Sequence, residues 1–291
     1  MSSVRLIKDF GYYLRVERGM SPNTAASYCS DLKEFLEWSD VPAGDVTTED
    51  VLRYMEFRSD DISKRSQARM LSAMRSFFGW MVAEGEMASD PCDGIETPKL
   101  GRYLPAVLSV EEVNAIIESV DLKSSGGVRD RAILEVLYGC GLRVSEVVNL
   151  RISQFFMEEG FVKVIGKGDK QRLVPLGEMA ALAVSDYLAV RGVADGAEYD
   201  DYLFLNKFGR PLSRVSVFNM VKRQAMAAGI RKEISPHTFR HSFATHMIEN
   251  GADLRVVQEM LGHESILTTE IYTHIDSSTW QADVLKFHPR R

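Results

Sequence analysis

Between Asp90 and Pro105 no repeating pattern survives: Pro91, Gly94, Pro98, Gly101 and Pro105 interrupt every helical or strand period the stretch could carry. Proline removes a backbone donor and fixes φ, while glycine adds conformational freedom, so this stretch divides the chain rather than extending what lies on either side. At 291 residues the chain is also longer than the roughly 100–200 residues of a usual domain. The expectation is two domains, 1–90 and 108–275, joined by a linker over 91–107 and followed by a tail over 276–291.

Before the break, four helix starts are followed by apolar stripes. Ser2 or Ser3 caps a helix running to Arg18, with Gly19 as its left-handed stop. Ser21-Pro22 is an N-cap with proline at the first helical position, followed by Tyr28, Leu32, Phe35 and Leu36 on one face. Thr47 or Thr48 opens a third helix with Val51, Leu52 and Met55. Ser63 opens a fourth with Met70, Met74, Phe77, Phe78 and Met81, stopped near Gly85. Four such stripes predict a helical bundle. After the break, Ser109 and Glu112 form a capping box and helices run to about Leu150. The one clear sheet signal follows: apolar alternation in 161–165 and 172–175 around the glycine-rich turn 166–170. Helical patterns then dominate, and the polar stretch 276–291, ending His288-Pro-Arg-Arg291, reads as a mobile tail rather than core. The expected fold class is mainly α with a small antiparallel β-sheet.

Composition removes some functions and leaves others open. With 45% hydrophobic and 26% charged residues the chain is of ordinary globular character. No apolar run approaches the roughly 18–20 residues that span a bilayer, and the first twenty residues mix charge with apolar residues as a signal peptide does not. Cys29, Cys92 and Cys140 are too few and too scattered for a disulfide framework. A soluble cytoplasmic protein is expected. A net charge of −6 weighs mildly against a nucleic-acid partner, but the charge is uneven. Residues 1–98 hold 11 Lys and Arg against 17 Asp and Glu, and the rest of the chain holds 24 of each. Charges beyond about 8 Å are largely screened in cells, so a basic groove is compatible with an acidic total.

Chemistry-bearing residues concentrate after the break. In Ser235-Pro-His-Thr-Phe-Arg-His-Ser-Phe-Ala-Thr-His246, His237 and Arg240 are three apart and share one helical face. That pair suits a phosphate, the guanidinium gripping two oxygens and the imidazole adding a donor or proton relay; a cap and a surface ion pair is the equally weighted alternative. Arg143, in Tyr138-Gly-Cys-Gly-Leu-Arg-Val-Ser-Glu146, follows glycines that permit a close backbone approach. It is a second phosphate clamp or, taken alone, more simply a partner for Glu146. Lys167 lies in the hairpin turn with Lys163, Lys170 and Arg172 nearby, where a cation can enter a duplex groove or donate a proton, or merely solubilise an edge. His263 follows Leu261-Gly262, and Tyr272 sits in Thr268-Thr-Glu-Ile-Tyr-Thr-His274. A tyrosine there is core, or a nucleophile if cations surround it. A Walker A loop is excluded by spacing, since five residues separate Gly160 from Gly166 and Gly168 stands where Ser or Thr is needed. A zinc site at His237, His241 and His246 ranks well below phosphate binding, because no HExxH occurs and no third acidic ligand is spaced for it. No metal and no cofactor are expected.

Together, GLRVSE, GKGDKQR, HTFRHSFATH, LGHES and TTEIYTH carry Arg143, Lys167, His237, Arg240, His263 and Tyr272 in fixed order. This series resembles the tyrosine recombinase (phage integrase) family, most closely the Xer site-specific recombinases, and the similarity extends to Gly19-Met-Ser-Pro-Asn-Thr24 and the HPRR ending. The six positions show no departure from the family pattern. Glu270, where glutamine is frequent, leaves the chemistry untouched, and GADLRVV and GDKQRLVPLG lean toward the XerD branch. The resemblance implies an N-terminal SAM-like core-binding domain and a catalytic domain that clamp double-stranded DNA at a recombination site. It also implies strand exchange by a tetramer on paired sites, either a homotetramer or one formed with a paralogous recombinase, with the tail 276–291 as a segment that docks on the neighbouring subunit, a frayed terminus being equally consistent with it. In that chemistry Tyr272 becomes a 3′-phosphotyrosine, Arg143 and Arg240 hold the phosphate, Lys167 protonates the leaving oxygen, and His237 and His263 assist. Chromosome dimer resolution at a dif-like site is the expected role, with a septal DNA translocase as candidate activator, and the compact length favours it over a mobile-element integrase. A catalytically silent architectural protein would need damage among the six positions, and a type IB topoisomerase-like enzyme would act as a monomer.

Overall fold

The computed structural model describes residues 3–98, 106–124, 126–166, 169–262 and 285–290. They form mainly α-helix with one small antiparallel sheet, divided into two compact units over residues 1–103 and 104–291.

The first unit holds α1 (Ser3–Val16), α2 (Pro22–Ser39), α3 (Thr48–Phe57) and α4 (Lys64–Ala83). The side chains of Ser21 and Ser63 accept from backbone N–H groups at the starts of α2 and α4, and Thr47 forms a reciprocal capping box with Asp50. Gly19 and Gly85 supply left-handed turns after α1 and α4. The interior is aromatic: Phe10, Phe35, Phe77 and Phe78 are fully buried, with Phe10 and Phe77 in edge contact at 5.3 Å. Cys92 and Ile95, inside the stretch expected as linker, pack on this core, so the described residues 91–98 finish the bundle.

The second unit is built around α6 (Gly127–Gly139), whose residues from Ala132 onward are buried on every side. Around it lie α5 (Val110–Glu118), α7 (Val144–Val147), α8 (Glu178–Val190), α9 (Arg214–Ala227), α10 (Pro236–Glu249) and α11 (Leu254–Leu261). Strands β1 (Phe155–Phe156), β2 (Phe161–Ile165) and β3 (Gln171–Pro175) form the sheet in that order, with Val164 opposite Arg172. Alternation places Val162 and Val164 of β2, and Arg172 and Val174 of β3, toward the interior. The two-residue β1 has no counterpart among the sequence expectations, because two residues are too few to show a period.

Residues 285–290 fold back on this unit. The His288 imidazole is 3% exposed, donates from Nε2 to the Gly139 carbonyl at 2.7 Å, and accepts at Nδ1 from the Arg290 N–H. Burial holds its pKa below the ordinary imidazole value, in keeping with a neutral ring bonded at both nitrogens. Arg290 pairs with the buried carboxylate of Glu135 and donates to Asn114. Where composition suggests a mobile end, these six residues therefore make buried contacts.

Candidate active site

Arg143 is delivered by a tight turn. Gly141 has φ +58 and lies so close to α10 that a Cβ would fall 2.5 Å from a Phe243 ring carbon, so only glycine fits there. Arg143 precedes the short α7, and both its backbone and its side chain are tied to Glu146 within that turn. The Arg143 N–H donates to Glu146 Oε2 at 2.8 Å, and its Nη1 donates to Oε1 at 2.9 Å. The local partnership expected between Arg143 and Glu146 is thus present, but it is part of a larger cluster.

Arg172, from the inward face of β3, makes a parallel fork to Glu146, both bonds at 2.9 Å. Arg240, one turn into α10, donates from Nη1 to the Gly141 carbonyl at 2.8 Å. The three guanidinium groups then meet the end of one helix. Arg172 Nε donates to the Met260 carbonyl at 2.7 Å, Arg240 Nη2 to the Leu261 carbonyl at 2.5 Å, and Arg143 Nη2 to the Gly262 carbonyl at 2.9 Å. The last carbonyls of a helix have no partner within it and carry its negative dipole end, so a row of three is a natural seat for cations. Gly262 caps α11 at φ +64, directly before His263 in the sequence.

One carboxylate facing three guanidinium groups leaves surplus positive charge in a shielded place. Burial pushes the Arg240 guanidinium down to about 10, with the Arg143 charge acting in the same direction. It stays protonated at neutral pH. Burial alone would raise the Glu146 carboxyl, but the Arg172 fork overrides it and leaves the group below its ordinary value, so it is ionised. Only Arg143 of the three is appreciably open, with a side chain 34% exposed against 6% for Arg172. The arrangement can receive an anion with oxygens to share, as a phosphodiester has.

Of the six sequence-predicted residues, the structure brings Arg143 and Arg240 together. His237 is exposed in the first turn of α10, one turn before Arg240. Lys167, His263 and Tyr272 lie outside the described residues. The three histidines weighed for zinc have different surroundings: His237 and His241 are exposed, while His246 is buried with Nδ1 2.7 Å from the Tyr138 hydroxyl. Sequence reasoning missed Arg172 as a member of the cluster. Its signal was available, since alternation aligns Arg172 with Val174, and a charged residue on an inward face needs a buried partner.

Comparison with known proteins fits this geometry. The phage integrase family matches residues 106–279, and the phage integrase N-terminal SAM-like domain matches residues 7–85. Tyrosine recombinase XerD of Listeria monocytogenes serotype 4b (strain F2365) is 44% identical over 98% of this chain and 99% of its own. A structure of XerH site-specific recombinase bound to a palindromic difH substrate, in a post-cleavage complex, matches with a TM-score of 0.72 and 24% identity. It covers 97% of this chain and 84% of that one. A lambda integrase tetramer bound to a Holliday junction matches with a TM-score of 0.73 and 18% identity, over 93% and 79%.

Proposed function

The chain belongs to the phage integrase family of tyrosine recombinases, on its XerD branch, and from that premise we propose that it resolves chromosome dimers by site-specific recombination at a dif-like site. The observation that supports the strand-cleavage part of this reading is the convergence of Arg143, Arg240 and Arg172 on one helix end, with Glu146 bonded to Arg143 and Arg172.

Tyr272 attacks the scissile phosphorus through its phenolic oxygen, the bond to the 5′ oxygen breaks, and a 3′-phosphotyrosine forms. Arg143 and Arg240 hold the non-bridging oxygens as negative charge builds in the transition state. Lys167 gives a proton to the departing 5′ oxygen, while His237 and His263 hydrogen-bond and relay the nucleophile's proton. One phosphodiester is exchanged for another of similar energy, so the reverse attack by a 5′ hydroxyl reseals the strand without ATP. Exchange between two duplexes breaks four strands, which requires four protomers on paired sites: copies of this chain, or this chain with a paralogous recombinase. The lambda integrase tetramer on a Holliday junction is an assembly of that kind, and XerH on difH supports the class of site. The enzyme acts in the cytoplasm, and a septal DNA translocase is the partner that would couple it to division.

The test is incubation with a duplex carrying a candidate dif-like site from the source chromosome, nicked beside the scissile position. Wild-type protein is expected to give a protein–DNA covalent band and Tyr272→Phe to bind without forming one. A normal band from Tyr272→Phe would remove that residue from the role. Loss of recombination between two directly repeated chromosomal sites in a deletion strain separates dimer resolution from the mobile-element alternative.

A further inference from the structure

Arg172 differs from the other two arginines of the cluster. Though about as enclosed as Arg240, it commits all three guanidinium nitrogens within the domain, two of them to a carboxylate, and so has none turned to a bound duplex. Two go to Glu146, the carboxylate that also holds Arg143, and the third goes to Met260, in the helix end that receives Arg143 and Arg240. The helix end is also seated on its guanidinium, since a Cβ on Gly262 would lie 3.2 Å from Arg172 Nη1 and 3.3 Å from Cζ. Stability does not account for such a residue. It faces inward opposite Val164, where an apolar side chain would avoid the desolvation cost, and buried ion pairs are often no better for stability than packed hydrocarbon.

We propose that Arg172 is a positioning residue for strand cleavage: from inside the domain it clamps Glu146 and the last turn of α11, and so fixes Arg143 and Arg240 where they receive the scissile phosphate. This rests on the recombinase reading above. The electrostatic side of the role is specific. With its fork engaged, Arg172 takes up much of the Glu146 charge and leaves the charge of Arg143 for the DNA. Without the fork, the carboxylate has Arg143 as its remaining cationic partner in the described cluster and competes with the phosphate for it.

The full-length protein and the nicked dif-like duplex test this directly. Arg172→Gln is expected to bind the duplex within roughly threefold of wild type and to form the covalent adduct about 100-fold more slowly in a single turnover. Arg172→Lys, which keeps the charge without the fork, should recover about tenfold of that loss. A methylphosphonate at the scissile position removes charge from the oxygens the arginines hold, and there the Arg172→Gln deficit should shrink to less than about tenfold. A rate within threefold of wild type, or an equal deficit on both substrates, would overturn the proposal, the second because a merely structural defect ignores phosphate charge. If Arg172→Gln fails to fold, Arg172→Lys, which keeps a cation beside Glu146, carries the same two-substrate comparison with its smaller, about tenfold, deficit. Wild-type protein that forms no adduct would sink the recombinase reading itself, whereas active wild type with indifferent variants sinks only this one.

Discussion

The two units keep different company in their interiors. The bundle is acidic overall yet buries an almost wholly apolar core, with Asp31 and Asp50 as its only buried charged residues among those described. The second unit balances its charges overall yet encloses Asp130, Glu135, Glu146, Arg172 and Arg240. Each of those ions has a partner across the fold, Asp130 with Arg223, Glu135 with Arg290, Glu146 with Arg172 and Arg240 with the Gly141 and Leu261 carbonyls, as the steep cost of an unpaired buried charge requires. The bundle thus illustrates stability from aromatic packing. The second unit gives up some of that simplicity to hold charge where water would otherwise screen it, and that is where a phosphate can be worked on.

The sharpest way to break the comparison is Arg240→Gln. It should slow covalent-adduct formation about 1000-fold in single-turnover assays, while no bundle substitution that preserves folding approaches that loss. Next come two interior changes of similar thermodynamic size and opposite chemical consequence. Phe77→Ala should destabilise the bundle by about 3–5 kcal/mol through the cavity it leaves. Hydrogen exchange should show that loss in α1, α2 and α4 without faster exchange in α10. Glu146→Gln should cost about 3–5 kcal/mol in the second unit by leaving Arg172 without its counter-charge, and cleavage should fall with it.

A pH series sharpens the same contrast. The folded-state value of Glu146 lies below its ordinary 4.5, so its stabilising contribution is complete above that pH and disappears as acid carries the solution down through the lower folded value. Urea midpoints of the wild type should therefore decline more steeply below pH 4.5 than those of Glu146→Gln. Smallest of all, Thr47→Ala and Ser109→Ala remove one capping box from each unit and should each cost about 1 kcal/mol. Equal costs in thermal denaturation would place the difference between units in their interiors rather than in their helix ends.

Much of this architecture was legible because it is local. Ser21, Ser63, Thr47 and Ser109 cap helices where their spacing predicts, and the hairpin strands pair as the alternation in 161–165 and 172–175 requires. Arg143 and Arg240 were also legible, through their motif contexts. What escaped was long-range. Arg172 meets Met260 across 88 positions of sequence and Glu146 across 26, and a local reading counts it among hairpin cations. Residues 285–290 escaped for the same reason: a polar composition says nothing of the Gly139 carbonyl that His288 reaches across 149 positions.

That buried imidazole bears on how the protein should be handled in the laboratory. A purification tag fused at the carboxyl end would sit beside contacts that fasten Glu135, Gly139 and Asn114, and would strain them during capture or cleavage. Near the amino end, Val4 on the outer face of α1 is 77% exposed, which makes that end the sounder place for a handle.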